Sequence, residues 1–323
     1  AGAAAHDGKG RARPVRQRQQ HYETTVGGWQ LCAAPASSAA PTVKAAPPAP
    51  IPKILHQTYK SKALPELFGR YRGSWLEHTP SWKHRLWQDY ENRALVQTHY
   101  PWFLETYDAY DHMIERVDAA RIFMMHRFGG VYADLDVEAV RDPSPLFSGG
   151  HDLVFFYQLA PRSTEATIDP INASSPKLGT ISNALMASRP GHPFWLFLAE
   201  RMIKFRAAAQ EVQSDIPNMD VYMATGPSML SKALAEYQAE HTEAKVAIFS
   251  RRYWSPFSWG LKADPCEVLW ECKAQFPDAY LVSHWTRSWI LCRPGMHSGA
   301  CVSPPSLLQE AADTNENAGA WCP

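Results

Sequence analysis

The stretch that decides the fold reads Met113-Ile-Glu-Arg-Val-Asp118-Ala-Ala-Arg121-Ile-Phe-Met-Met-His-Arg-Phe128-Gly129-Gly130-Val-Tyr-Ala133-Asp134-Leu-Asp136. Met113, Ile114, Val117, Met124, Met125 and Phe128 recur at helical spacing. Gly129-Gly130 ends that helix, because glycine adopts the left-handed cap that other residues resist. Val131 to Ala133 then reads as a strand running into Asp134-Leu135-Asp136. Residues two apart in extended chain point to the same side, so the two carboxylates share a face at the strand's carboxyl end. Asp118 and Arg121 are one helical turn apart and share a helix face that differs from the Met113/Val117/Met124 stripe.

Working outward, Ile51 to Tyr59 begins as a short apolar strand followed by a polar turn, and Trp82 to Trp87 is a second strand. In it Trp82, His84 and Leu86 alternate against Lys83, Arg85 and Trp87. Glu91 to Tyr100 and Pro101 to Tyr110 read as helical. His151 to Leu159 is a further strand, and Pro193 to Arg206 and Ser228 to Gln238 are helices. Helices alternating with short strands predict an α/β fold with a mostly parallel central sheet flanked by helices. No internal repeat is visible.

The 32 Lys+Arg balance the 32 Asp+Glu. A neutral chain argues against a general nucleic-acid surface, which needs an excess of Lys and Arg. The longest apolar run, about Phe194 to Ala199, is far short of the roughly 18 residues of a membrane span. The chain begins with Ala, so an anchor or signal upstream is compatible with it. Residues 1–50 carry six basic and two acidic residues, and 13 of the 18 residues from Ala33 to Pro50 are Ala or Pro. They read as a flexible basic stem. The rest of the chain is then mildly acidic.

Five of the six cysteines (Cys266, Cys272, Cys292, Cys301 and Cys322, with Cys32 the other) fall in the last 58 residues. None forms Cys-x-x-Cys, so zinc ligation is not indicated. An even number gathered in a loop-rich tail reads as disulfides in an oxidising compartment, with Cys266–Cys272 and Cys292–Cys301 the short-range pairings. Asn172-Ala-Ser174 is an N-glycosylation sequon, a weak pointer to secretion.

Two aspartates at the end of a strand repel unless a cation lies between them. Oxygen ligands suit Mg²⁺ or Mn²⁺, which often complete their shell with substrate phosphates. The strand end is also where open α/β sheets bind ligands. Asp-x-Asp alone is common in solvated loops. Likewise Asp118 and Arg121 read either as a surface ion pair of little worth or as a carboxylate and guanidinium gripping sugar and phosphate oxygens.

Three segments together resemble glycosyltransferase family 32, the DXD sugar-binding group: Ile51-Pro-Lys-Ile-Leu-His-Gln-Thr58, Arg116-Val-Asp118-Ala-Ala-Arg121, and Phe128-Gly-Gly-Val-Tyr-Ala-Asp134-Leu-Asp136. Asn183-Ala-Leu-Met-Ala-Ser-Arg-Pro-Gly-His-Pro-Phe194, Thr225-Gly-Pro-Ser-Met-Leu-Ser231 and His284-Trp-Thr-Arg-Ser-Trp289 extend the likeness, which covers about Ile51 to Trp289. Within the family it is similar to mannosyl-inositol-phosphorylceramide synthases and initiating α-1,6-mannosyltransferases. The resemblance implies a GT-A-type nucleotide-sugar-binding domain over residues 51–290, followed by a Cys-containing tail over 291–323. It implies a retaining hexosyltransferase, with mannose favoured, that uses Mn²⁺ or Mg²⁺. The donor would be a nucleotide-sugar, GDP-mannose first and a UDP-sugar second. The acceptor would be a glycan or glycolipid.

By the same resemblance, Asp134 and Asp136 hold the ribose and the metal–diphosphate, with His284 as a further metal or diphosphate ligand. Asp118 and Arg121 grip the donor sugar and Asn183 faces it. His56, Gln57 and Thr58 line the nucleotide pocket. The implied setting is a Golgi or other secretory-pathway lumen, reached as a single-pass type II protein. The only membrane contact would be an anchor upstream of the present chain.

Each assignment has a structural rival. His284, between tryptophans, could be a core histidine. Asn183 could cap a turn, and Thr225-Gly226-Pro227 could be a simple turn. His192-Pro193 starts a helix. Tyr59, Trp75 and Trp254 suit either stacking on a ligand or the core, and Tyr253 to Trp259 suits an acceptor-side wall. Two other functions stay open. A haloacid-dehalogenase-like phosphatase also uses Asp-x-Asp, but its motif wants Thr or Val where this chain has Glu138. A non-catalytic sugar-binding member of the same fold is the other.

Overall fold

Gly129 and Gly130 shape the junction from which the sheet is built. Both have positive φ (61° and 90°). A Cβ on Gly130 would lie 2.5 Å from the Ile54 carbonyl oxygen, and one on Gly129 2.7 Å from that of Ser188. Only glycine lets helix and strand meet this closely. The computed structural model describes residues 50–159, 179–209, 219–257, 266 and 269–286. The expected stem apart from Pro50, the Asn172 sequon, the Cys292–Cys301 pairing and the tail lie outside these residues.

The first half of the chain runs β1 (Ile54–Thr58), α1 (Glu66–His78), β2 (Lys83–Trp87), α2 (Asp89–His99), a short 3-10 turn, α3 (Leu104–Asp108), α4 (Met113–Phe128) and β3 (Gly130–Ala133). It continues through β4 (Val137–Ala139), α5 (Ser144–Phe147), β5 (Leu153–Leu159), β6 (Thr180–Ile181), β7 (Leu185–Ser188), α6 (Phe194–Ala209), α7 (Met219–Ala224) and α8 (Pro227–Glu240). It ends with β8 (Val246–Phe249), α9 (Leu269–Gln275) and β9 (Leu281–Ser283). A seven-stranded sheet has the order β2-β1-β3-β7-β5-β6, with β8 on the other edge of β5. β1, β2, β3, β5 and β8 run one way, and β7 and β6 run against them. The sheet is therefore mostly parallel and flanked by helices, as the sequence predicts. β4 and β9 pair separately.

One face of the sheet packs Trp87, Phe123, Met124, Tyr132, Phe155, Trp195 and Leu230 into a core under α2, α4, α6 and α8. The other face buries Leu55, Trp75, Val131, Val154, Phe156 and Trp254. Trp75 and Trp254 are thus core residues, their indole N–H groups donating to Val137 O (2.7 Å) and Tyr157 O (3.0 Å). Helix α1 escapes the sequence reading because Gly69 and Gly73 interrupt its pattern, each costing about 1 kcal/mol relative to Ala. Tertiary contacts hold it: Phe68, Tyr71 and Trp75 are buried, and Ser74 Oγ accepts from Ala139 N at 2.8 Å.

The apolar stripe on α4 is also redistributed. Met113 stays half exposed (50 %), whereas Ala119, Ala120, Ile122 and Phe123 are fully enclosed. Asp118 and Arg121 lie within this buried stretch, so the surface-pair alternative is wrong. Cys266 and Cys272 form a disulfide beside Val140, Phe257 and Val282. No helix among the described residues is long and apolar enough to cross a membrane.

His56 is a core residue (1 % exposed), packed between Trp87 and Phe128. Its Nε2 lies 3.0 Å from Gly129 O, and its Nδ1 accepts the Trp87 indole N–H at 3.0 Å. A carbonyl only accepts and an indole only donates, so the ring is the neutral Nε2–H tautomer. Burial, offset in part by the Gly129 bond and reinforced by Arg85, lowers its pKa from 6.5 to about 4. Between those values the unfolded chain binds the proton and the native fold does not, so stability falls as the pH falls through that window. The slope is at most about 1.4 kcal/mol per pH unit. Urea unfolding of wild type and His56→Gln near pH 7 and near pH 5 checks this: the variant, less stable at pH 7, loses less than wild type on acidification.

Candidate functional site

The site forms at the carboxyl ends of β1 and β3, against the middle of α4. Arg121 is its centre, with 3 % of its side chain exposed. It is paired with Asp118 Oδ1 at 2.8 Å and donates to the Asn183 carbonyl at 2.7 Å. Its Nη1 lies 3.6 Å from Asp134 Oδ1, and its guanidinium sits 4.6 Å from the centre of the Tyr132 ring. Its Nε–H is buried with no hydrogen-bond partner among the described residues. Burial works against its charge, but Tyr132, Asp134, Asp118 and Asp136 outweigh burial and hold its pKa above the ordinary value.

Asp118 is equally enclosed. Its Oδ1 also receives the Asn183 amide N–H at 3.0 Å, and its Oδ2 receives the Thr225 hydroxyl at 2.9 Å. Burial raises its pKa to about 7, against the pull of Arg121 and Thr225. Thr225 belongs to the segment read from sequence as a simple turn. It closes the end of α7, and Gly226 behind it packs so tightly that a Cβ would meet Tyr222 Cα at 3.0 Å.

Asn183 reaches the site because the chain breaks its strand between β6 and β7. Both lie on the same side of β5, Ser182 N still donates to Phe156 O at 2.9 Å, and Asn183–Ala184 then leave the β5 ladder. The antiparallel register pairs Ala133 with Leu185, so the end of β3 meets the start of β7. Asp134 N then donates to Ala184 O at 2.9 Å.

Asp134 Oδ1 accepts the Tyr132 hydroxyl at 2.8 Å, and that hydroxyl lies 3.1 Å from Thr58 Oγ1. Burial and the like charge of Asp136 raise the Asp134 pKa to about 6, with Arg121 and Tyr132 opposing. The Asp134 side chain keeps 34 % of its surface in solvent, which screens that repulsion. Asp136 Oδ2 accepts from both the backbone N and the hydroxyl of Thr286, each at 3.0 Å.

Three carboxylates therefore surround one guanidinium, an excess of negative charge that a divalent cation would relieve. Asp134 Oδ2 and Asp136 Oδ1 take no part in the bonds above and could serve it. Among the described residues no group of three or more His, Cys, Asp or Glu side chains converges to hold a metal. A cation here would draw two oxygens from the protein and the rest from water or phosphate, which fits Mg²⁺ or Mn²⁺.

The structure brings together Asp118, Arg121, Asn183, Asp134, Asp136 and Thr58 as expected residues of one site. His284 does not join the aspartates as a third ligand. Its backbone N donates to Asp136 O at 2.9 Å, but its buried ring stacks on Tyr71 (4.1 Å, 7°) and its Nε2 meets Glu138 Oε2 at 2.9 Å. His56 has both ring nitrogens occupied by protein. Gln57 is wholly buried, its amide without a partner among the described residues. The sequence reading missed Thr225, Tyr132 and Thr286. All three sit in segments quoted for the resemblance, but none was assigned a role there.

Residues 65–151 match the description "Glycosyltransferase sugar-binding region containing DXD motif". The match covers 87 of the 323 residues and takes in both aspartates. The phosphatase alternative is set aside by that match. The chain is 33 % identical over 183 residues to an inositol phosphoceramide mannosyltransferase of Schizosaccharomyces pombe, covering 57 % of this chain and 44 % of the relative. It is 35 % identical over 195 residues to the mannosyl phosphorylinositol ceramide synthase SUR1 of Saccharomyces cerevisiae, covering 60 % and 44 %. It thus spans under half the length of these relatives. Among solved structures, the PaToxG glycosyltransferase aligns over 60 % of this chain and 71 % of its own, at 14 % identity and a TM-score of 0.42.

Removing the buried cation exposes its role. Arg121→Met takes from Asp118 the cation that opposes its burial, leaves its carboxyl unpaired in the core and should cost about 3–5 kcal/mol of stability. Asp118→Asn/Arg121→Met removes the ionisable group as well and should be more stable than Arg121→Met alone. Urea unfolding of the singles and the double checks this, and additive losses would contradict it.

Proposed function

We propose that this chain transfers a hexose, mannose first, from a nucleotide-sugar to a glycolipid or glycan acceptor, with a divalent cation at Asp134 and Asp136. The observation that carries the reading is the acidic pair at the end of β3 set beside a buried, fully charged Arg121, 3.6 Å from Asp134. The names of the relatives support a mannosyl donor and an inositol-phosphoceramide type of acceptor. GDP-mannose is the favoured donor and Mn²⁺ the favoured ion.

A bound cation would neutralise charge developing on the departing nucleoside diphosphate. The chain's own groups do the rest. Arg121, fixed on three sides, lends its positive field to donor oxygens beside Asp134 in a nearly water-free setting, where such a charge is worth most. Tyr132 and Thr58 fix Asp134, and Asn183 and Thr225 fix Asp118. Asp118 has both oxygens engaged and lies buried, so it is unsuited to act as an exposed nucleophile. This favours retention through front-face attack by the acceptor over a covalent intermediate. The Cys266–Cys272 bond suits an oxidising secretory-pathway lumen such as the Golgi.

The test is incubation with Mn²⁺ and a panel of GDP- and UDP-sugars, measuring nucleoside-diphosphate release with and without an inositol-phosphoceramide acceptor. We expect release from GDP-mannose, reduced by about a hundredfold or more in Asp134→Asn and Asp136→Asn of unchanged fold. Absence of metal-dependent release from every donor overturns the reading.

A further inference from the structure

The bonds around Asp136 come from a part of the chain that the function above does not use. Thr286, 150 residues away, gives Asp136 Oδ2 two hydrogen bonds, one from its backbone N and one from its hydroxyl. His284, two residues earlier, donates its backbone N–H to the carbonyl of the same aspartate at 2.9 Å. Residues two apart in extended chain face the same side, and Trp285 lies between these two donors. It has φ 51°, the only positive φ at a non-glycine position among the described residues. For a bulky residue that conformation costs about 1–3 kcal/mol and persists only where its surroundings enforce it.

The surroundings do so on every side. The Trp285 indole N–H donates to Ser255 Oγ at 2.9 Å, and its ring lies edge-on to the fully buried Trp254. The His284 ring is held by Glu138 and stacked on Tyr71. Glu138 lies in β4 opposite Val282 of β9, so the two-stranded sheet brings this strap beside the acidic pair. Strain sits at the junction that touches Asp136, and the contacts enforcing it converge there.

We propose that Thr286 is a positioning residue for the cation site. It occupies Asp136 Oδ2 and so presents Oδ1 as the single oxygen that Asp136 gives a divalent ion, with the left-handed turn at Trp285 delivering it. A carboxylate free to rotate could swing away from Asp134 to lessen their repulsion, and an ion would have to draw it back. With one oxygen fixed by two donors, that reorganisation is removed in advance. Partners of this kind behind a metal ligand typically change metal affinity about 10–100-fold when removed. The inference rests on the cation reading above and adds to it a residue outside the matched DXD segment.

The test measures binding rather than turnover. Fluorescent analogues of GDP and UDP are titrated onto the whole protein at increasing Mn²⁺, and the Mn²⁺ concentration at half-maximal nucleotide binding is read for wild type, Thr286→Val and Thr286→Ser. Valine keeps the backbone bond and removes the hydroxyl, whereas serine keeps both. We expect Thr286→Val to raise the midpoint about tenfold with its thermal unfolding close to wild type, and Thr286→Ser to restore it. An unchanged midpoint in Thr286→Val, or an equal rise in both variants, overturns the positioning role while leaving the cation site intact. If wild type binds neither nucleotide at any Mn²⁺ concentration, the cation reading itself fails and the role of Thr286 falls with it.

Discussion

A guanidinium enclosed in protein is the constraint around which this molecule is arranged. Taking a charge out of water costs several kcal/mol unless partners replace the water. Arg121 meets that condition only because three separate parts of the chain arrive at once: Asp118 from its own helix, the Asn183 carbonyl from the break between β6 and β7, and Asp134 with the Tyr132 ring from β3. If any one is withdrawn, a buried N–H or charge loses part of what replaces its water. The same cation makes the acidic strand end tolerable, since Asp134 feels both burial and the charge of Asp136.

Around that centre the fold divides the labour between its two aspartates. Asp134 is fixed from the sheet, through Tyr132, Thr58 and the Ala184 carbonyl. Asp136 is fixed from outside it, by the strap that follows β9. Helix α1 links the two regions. Trp75 and Ser74 bond the backbone of β4 on either side of Glu138, and Tyr71 stacks on His284. Two carboxylates adjacent in sequence are therefore held by elements remote from each other, which keeps their separation from being set by a single flexible loop.

The parts legible in the sequence were those in which one short segment carries its own physical signature. The helix–Gly-Gly–strand succession around Asp134 and Asp136 is local: periodicity, a cap and an alternation read within some two dozen residues. β1, β2, β5, α6 and α8 showed themselves in the same way. Helix α1 did not, because its glycines weaken the local signal and burial of Phe68, Tyr71 and Trp75 supplies what propensity lacks. Asp118 and Arg121 could be paired from their spacing, but a spacing of one turn is the same on a surface and in a core. Their burial follows from helices and strands distant in sequence closing over them.

The sequence by itself determined the α/β class with its mostly parallel sheet, from the alternation of helices and strands, and the Cys266–Cys272 bond and the pairing of Asp134 with Asp136, from residues close along the chain. Only the tertiary structure decided who those residues face. It drew His56 into the core with both nitrogens occupied, and turned His284 toward Glu138 instead of the aspartates. It brought Thr225 onto Asp118 across 107 residues and Thr286 onto Asp136 across 150. The reason is that a hydrogen bond depends on distance and angle in space, and an antiparallel register or a left-handed turn can set these between residues that share no local pattern at all.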